Sequence, residues 1–354
     1  MSDVPFRRRR GVRRTAAWTV TAAVLAGGLF WASGGYDSWR DDRALDSACD
    51  GDLAAGAVRE LFDGASPTSA GGDDRGRWIC TVSAAGDGSG ADLRLWARDT
   101  DGPSLLEGVD GYDAPLGHGW TGSFHFDPDD EDTHEARAAL LLSCGKGSGH
   151  GRMMTAEAEL GRGGFDDPVS RERLVAVLTE TATAYARRTG CAARTGGRVK
   201  DVGVTTTRAD RKPVAAATGS CAGVVDEKTA ARWGVHTVRE ITEGPAPLEN
   251  CALGGRSGAL LYGFTASYGP PAREARRRLD YRSDGHSTRS GAYELAARCP
   301  GAGGTALFQV ETLRDEDDPE MAAPVVDHRG LRAALQRFAE RSAKKHGCEG
   351  PERV

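Results

Sequence analysis

Eight cysteines fall into two quartets: Cys49, Cys80, Cys144 and Cys191, then Cys221, Cys251, Cys299 and Cys348. The intervals are 31, 64 and 47 residues in the first quartet and 30, 48 and 49 in the second. Spacing this similar, met twice, implies one module duplicated in tandem. There is no C-x-x-C, which argues against zinc and against thioredoxin-like chemistry. An even set without that motif reads as structural disulfides in an exported chain. We favour pairing the first cysteine with the second and the third with the fourth in each copy. The other pairings stay open at this point.

Local contexts repeat along with the cysteines. In each copy a short helical pattern follows the first cysteine, with Asp52 and Asp226 in N-cap position. The second cysteine opens an alternating hairpin, Arg77–Ser83 to Leu93–Ala97 in one copy and Asn250–Leu253 to Leu260–Phe264 in the other. The third ends a strand, and a returning strand follows. The tripeptides Asp166-Asp167-Pro168 and Asp317-Asp318-Pro319 come next. Amphipathic helices over Arg171–Arg188 and Arg329–Lys345 then run into a glycine and the last cysteine. Each copy therefore reads as helix, four or five antiparallel strands, helix.

Ahead of the quartets lie six arginines between Arg7 and Arg14, then an uncharged stretch from Thr15 to Gly35. That stretch is long enough to span a hydrocarbon core of roughly 30 Å as a helix. The arginines place the N-terminus in the cytoplasm. Ser33-Gly34-Gly35 would suit a cleaved signal instead, but the apolar part is long and we favour an anchor. The expected division is a basic arm at 1–14, a transmembrane helix at 15–35 and a stalk at 36–47. A first module at 48–191, a linker at 192–216, a second module at 217–348 and a tail at 349–354 complete it. The fold class is α+β, one transmembrane helix followed by two disulfide-stabilised modules. Without residues 1–35 the chain holds 40 basic and 50 acidic side chains. An acidic ectodomain argues against nucleic acid as a partner.

The sharpest local feature is the acidic run Asp127, Asp129, Asp130, Glu131 and Asp132. Its oxygen donors suit calcium, but the sixth position lacks the glycine of an EF-hand loop, and a solvated loop is the simpler reading. The matching interval of the second copy carries Arg273, Arg276, Arg277, Arg278 and Arg282. These inserts of opposite sign are candidate interaction patches, facing each other or a partner. Gly145–Gly151 lacks the lysine placement of a phosphate loop. Gly255-Arg256-Ser257-Gly258-Ala259 departs from a nucleophile elbow in its last residue. No H-E-x-x-H occurs. No catalytic residue, cofactor or metal ligand is assigned.

The arginine-rich start, the single apolar segment and a cysteine ahead of the first helix followed by one in a strand (Cys49 and Cys80, Cys221 and Cys251) form a general architecture. It resembles the membrane-anchored or lipid-anchored exported proteins of actinobacteria, including Streptomyces. It differs from the lipid-anchored members in having no cysteine at the lipid-attachment position. The resemblance implies a cell-envelope location and brings no catalytic residues. The expected role is a non-catalytic binding or adaptor protein, with another envelope protein as partner and the membrane engaged through residues 15–35. An envelope hydrolase is the alternative, favoured by a pocket with Ser or Asp beside His in one copy only. A structural stalk is the third reading, and it requires that neither copy be concave.

Overall fold

The computed structural model describes residues 44–63, 67–74, 77–84, 90–99, 109–129, 132–144, 151–191, 195–281, 291–313 and 324–353. They build two seven-stranded sheets whose paired strands all run antiparallel. The first has the order β1 (Pro67–Asp74), β2 (Arg77–Ala84), β3 (Ala91–Asp99), β7 (Gly151–Glu159), β6 (Glu135–Ser143), β5 (Gly122–His125) and β4 (Ala114–Pro115). The second runs β8 (Lys212–Pro213), β9 (Thr237–Glu240), β10 (Leu248–Gly254), β11 (Leu260–Ser267), β13 (Thr305–Thr312), β12 (Tyr293–Arg298) and β14 (Glu352–Arg353). Five central strands correspond: β1 to β9, β2 to β10, β3 to β11, β7 to β13 and β6 to β12. The divergent insert lies between β3 and β6 in the first copy and between β11 and β12 in the second. It is the β4–β5 hairpin in the first copy and a helix in the second.

Each sheet buries one face against a helix pair. In the first copy α1 (Ala55–Leu61) and α2 (Pro168–Arg188) cover Cys80, Val82, Leu93, Leu95 and Ala156. In the second, α3 (Glu227–Trp233) and α5 (His328–Lys345) cover Cys251, Leu253, Phe264, Ala266 and Phe308. The alternation of buried and outward residues along β10, β11 and β13 is what a half-buried strand requires. Asp167, Asp226 and Asp327 cap α2, α3 and α5 by accepting the backbone N–H of Val169, Thr229 and Gly330. Asp52 is not a cap. It is buried, and it pairs with Arg188 near the end of α2 at 2.6 Å. The Asp317-Asp318-Pro319 tripeptide lies outside the described residues.

The disulfides join Cys49 to Cys80, Cys144 to Cys191, Cys221 to Cys251 and Cys299 to Cys348, with Cα separations of 5.5, 4.2, 5.0 and 4.1 Å. The first of each pair ties the segment before the leading helix to the second central strand. The other ties the end of the long helix to the end of β6 or β12. Four such bonds with no free cysteine are the chemistry of an extracytoplasmic domain.

Several expectations need correction. No helix among the described residues is long and apolar enough to cross a membrane, and the segment at 15–35 lies outside them. The expected fold of a transmembrane helix followed by helix–sheet–helix modules is therefore replaced by two sheet-rich modules. Each has seven strands where four or five were expected, and the second carries an extra helix, α4 (Pro270–Tyr281). The end of the expected stalk belongs to the first module, because Leu45 is buried in its core. The expected linker does too: Val199 and Val202 join that core, and Gly197 accepts the indole N–H of Trp120 at 2.9 Å. Its last residues form β8. The expected tail forms β14, paired to β12.

The modules dock through the outer face of the first sheet. Ala139, Leu141 and Met153 point away from their own helices and join the core of the second module. Ser143 Oγ accepts the backbone N–H of Ala302 at 3.1 Å. The β4–β5 region completes the contact. Asn250 N donates to Gly111 O at 2.8 Å, and Gly122 N donates to Pro245 O at 3.2 Å. The Arg239 guanidinium lies 3.6 Å from the Tyr112 ring centroid. Gly269, at φ +61°, turns the chain from β11 into the following helix at this interface; a Cβ there would meet Ala302 O at 3.0 Å and Leu141 Cδ2 at 3.3 Å. We predict that Leu141→Asp separates the modules while all four disulfides stay formed, because an unpaired charge cannot be buried there. Small-angle scattering should show a larger radius of gyration; an unchanged profile would contradict this docking.

Candidate functional site

The site follows from the parity of strand β10. Cys251 is fully buried and faces the helices, so Glu249, two residues earlier, faces them as well. Leu248 and Asn250 then face outward. On that outward face one register row crosses four strands: Asn250 lies opposite Thr265, Thr265 opposite Gln309, and Gln309 opposite Glu294. Neighbouring members of such a row are about 4.8 Å apart. The Thr265 hydroxyl donates to Asn250 Oδ1 at 2.9 Å. Helix α4 lies over this row, with Pro271, Ala275 and Arg278 as its roof, and encloses a cavity of about 280 Å³. Gly263, opposite Glu311 in the adjoining row, also lines the cavity, and a Cβ there would meet Leu313 Cδ1 at 3.3 Å.

The equivalent row of the first module is Ile79, Trp96, Thr155 and Ala139. Trp96, Thr155 and Ala139 are buried, and Ala139 sits in the docking interface. The fold therefore does not require a hydrogen-bonding row at this place. One copy uses the face to dock, and the other builds a polar cavity on it.

Behind the cavity floor, β10 is held by a buried cluster. Glu249 is 0% exposed and accepts from Ser342 Oγ at 2.7 Å, Lys345 Nζ at 2.9 Å and His346 Nε2 at 2.8 Å. Because Ser342 donates to the carboxylate, the Tyr268 hydroxyl donates in turn to Ser342, at 2.6 Å. The Tyr268 ring stacks on His346 with centroids 3.5 Å apart. Burial by itself would raise the Glu249 pKa. The hydrogen bond and charge of His346, joined by those of Lys345, outweigh it and hold the carboxyl down at about 2. Burial, with the Glu249 charge beside it, pushes the Tyr268 hydroxyl well up. In the first module the places of Glu249 and Ser342 are taken by Trp78 and Tyr185, whose rings pack 5.4 Å apart.

A second cavity, of about 320 Å³, lies on the outer face of the first sheet, walled by His125, Asp127, Asp132, Glu135, Arg137 and Glu157. His125 Nδ1 is 2.7 Å from Oδ1 of Asp113, which is 0% exposed. That contact fixes the tautomer, with Nδ1 donating. Burial pushes the Asp113 carboxyl up, and its hydrogen bond from His125 partly restrains the rise. In the second module α4 occupies the equivalent interval. The cavity's lining among the described residues includes no serine or cysteine.

The candidate patches separate accordingly. Asp127 and Asp132 line the second cavity, and each accepts a backbone N–H two residues on, from Asp129 and His134, as turn-forming aspartates do. Asp130, Glu131 and Arg282 lie outside the described residues. Among the described residues no group of three or more His, Cys, Asp or Glu side chains is placed to hold a metal ion. Arg273, Arg276, Arg277 and Arg278 lie on α4, where Arg277 and Arg278 pair with Glu274. Sequence reasoning found that patch but missed the helix, the row beneath it, the Glu249 cluster and the Asp113–His125 pair. A register comparison of the copies held the signal, because Glu249 stands two residues before its cysteine where Trp78 stands before the other.

No family model matches the chain, and no curated protein does. A solved structure, the crystal structure of the di-domain ARO/CYC StfQ from the steffimycin biosynthetic pathway, aligns over 83% of this chain and 94% of that one. Its identity is 13% and its TM-score 0.16, a likeness too slight to carry an argument.

The Glu249 cluster sets a pH dependence. Its folded pKa of about 2 lies below the ordinary 4.5, so the stabilisation is complete above pH 4.5 and lost as pH falls through 2. This linkage amounts to about 3 kcal/mol. We predict that Glu249→Gln removes most of that acid sensitivity and destabilises the protein at neutral pH, as urea denaturation from neutral pH to pH 2 would show. A wild-type stability flat with acidity would contradict it.

Proposed function

We propose that the protein is an exported, non-catalytic binding protein of the cell envelope whose second module holds a small ligand beneath α4. The observation that supports this is the contrast between equivalent rows: Asn250, Thr265, Gln309 and Glu294 under a helix in one copy, Ile79, Trp96, Thr155 and Ala139 in the other. Hydrogen-bonding groups that converge in a partly apolar concavity are the usual make-up of a ligand site. The first module then serves as a docked support, because its loop at Gly111 bonds to Asn250 in the floor strand. A structural stalk does not account for a cavity of this kind.

The test is a thermal-shift screen of small polar molecules against the wild type and against Thr265→Val/Gln309→Leu. Ligands of the cavity should raise the melting temperature of the wild type only. At a hundredfold excess over Kd the gain is about 2.7 kcal/mol. Hits that stabilise both proteins equally, or no hits, would contradict the reading.

The hydrolase reading has one observation in its favour, the Asp113–His125 pair beside a cavity of the first copy. With no nucleophile in the described lining, it would have to activate water. Release of nitrophenol from chromogenic esters that disappears in His125→Gln would establish it. Release no faster than in buffer removes it and leaves the binding reading.

A further inference from the structure

Resting on that binding reading, we infer that His125 and Asp113 are a positioning pair for the cavity beneath α4, pinning loop 110–113 of the first module against its floor strand. Asn250 is the floor residue that the loop holds. Its Oδ1 accepts from Thr265 and its carbonyl from Ser220 Oγ. Its backbone N–H donates to Gly111 O at 2.8 Å. Gly111 is buried against the same residue, and a Cβ on it would overlap the Asn250 side-chain amide. One residue on, Tyr112 O accepts the backbone N–H of Thr206 at 2.9 Å, and the Tyr112 ring lies under Arg239 of β9. Both inner residues of the loop therefore touch the second module.

The shape of the loop comes from Asp113. Its Oδ2 accepts the backbone N–H of Asp110 at 2.8 Å, and Asp110 Oδ1 accepts that of Tyr112 at 2.8 Å. The backbone N–H of Asp113 closes the turn on Asp110 O at 3.3 Å. Because Asp113 is fully buried, its other oxygen needs a donor, and His125 Nδ1 supplies it at 2.7 Å. Thr205 Oγ1, at 3.4 Å from that nitrogen, is the more distant neighbour. A hydrogen bond to a buried carboxylate is among the costliest to lose. An unbroken line of contacts thus runs from His125, in the wall of the second cavity, through Asp113 and Gly111 to Asn250 and Thr265 beneath α4. Without the His125 donor Asp113 would be a buried carboxylate short of a partner, so the loop would turn toward water and release Asn250.

The experiment is amide hydrogen exchange with chemical-shift mapping by NMR on the full chain at neutral pH, for the wild type, His125→Leu and His125→Asn. The first substitution removes the donor, whereas the second keeps an N–H donor on a short side chain. His125→Leu should speed exchange of the Asn250 backbone amide about tenfold or more and move the Asn250 and Thr265 resonances. The amides of α5 should exchange as in the wild type, and His125→Asn should restore Asn250 and Thr265. Asn250 and Thr265 unmoved in His125→Leu would overturn the inference. So would exchange quickened equally in α5, or His125→Asn behaving like His125→Leu, since either marks a merely structural role. His125 is only partly buried, and His125→Ala puts the same question should His125→Leu not fold. None of these readouts uses a ligand, so their failure overturns the role of the pair alone, and the cavity reading stands or falls by the thermal screen.

Discussion

The bond from Cys221 to Cys251 fixes the middle of β10, and the polarity of both faces of the second sheet follows from it. Cys251 must face the helices to reach its partner. The two-residue period then places Glu249 inside and Asn250 outside, whatever their own preferences. The partner end is fixed equally firmly. Buried Glu240 in β9 accepts the backbone N–H groups of Thr218, Gly219 and Cys221 and pairs with Lys212 at 2.6 Å. Burial works against that carboxylate, but the Lys212 bond and the three amides prevail and lower its pKa. A carboxylate held in this way locks the loop that delivers the cystine.

The two copies meet the same constraint with different chemistry. Where parity puts Trp78 inside, it packs on Tyr185. Where parity puts Glu249 inside, a chain of Tyr268, Ser342, Lys345 and His346 must gather to satisfy it. A buried ionic cluster is seldom the more stabilising of two such solutions, but losing one partner from it is severely destabilising. Its effect is to hold β10 and the end of α5 in one arrangement. The outward residues Asn250 and Thr265 inherit that rigidity, as a binding floor needs.

Much of the architecture was legible in the sequence. The long helices show apolar residues at helical spacing in Leu174, Val177 and Leu178, and again in Leu331, Leu335 and Phe338. The main hairpins show alternation. What escaped notice has physical reasons. β1, with the sequence PTSAGGDD, has none of the apolar alternation that marks a strand, and pairing with β2 makes it one. The segment after Cys191 reads as linker because Val199 and Val202 are spaced by Gly, Lys, Asp and Arg, and only the neighbouring core shows what they fill. Helix α4 was hidden by its arginines, which suggested a charged patch before a helix face. The outward row Asn250, Thr265, Gln309 and Glu294 was invisible because its four members come from four strands and meet only through register.

The outward row of the second sheet is the proposed ligand floor. The most direct measurement is a crystal structure of the protein grown with the tightest-binding small molecule from the screen. Ligand density is expected beneath α4, in hydrogen-bond contact with Thr265 and Gln309. Density in the His125 cavity instead, with the α4 cavity holding only solvent, would contradict it.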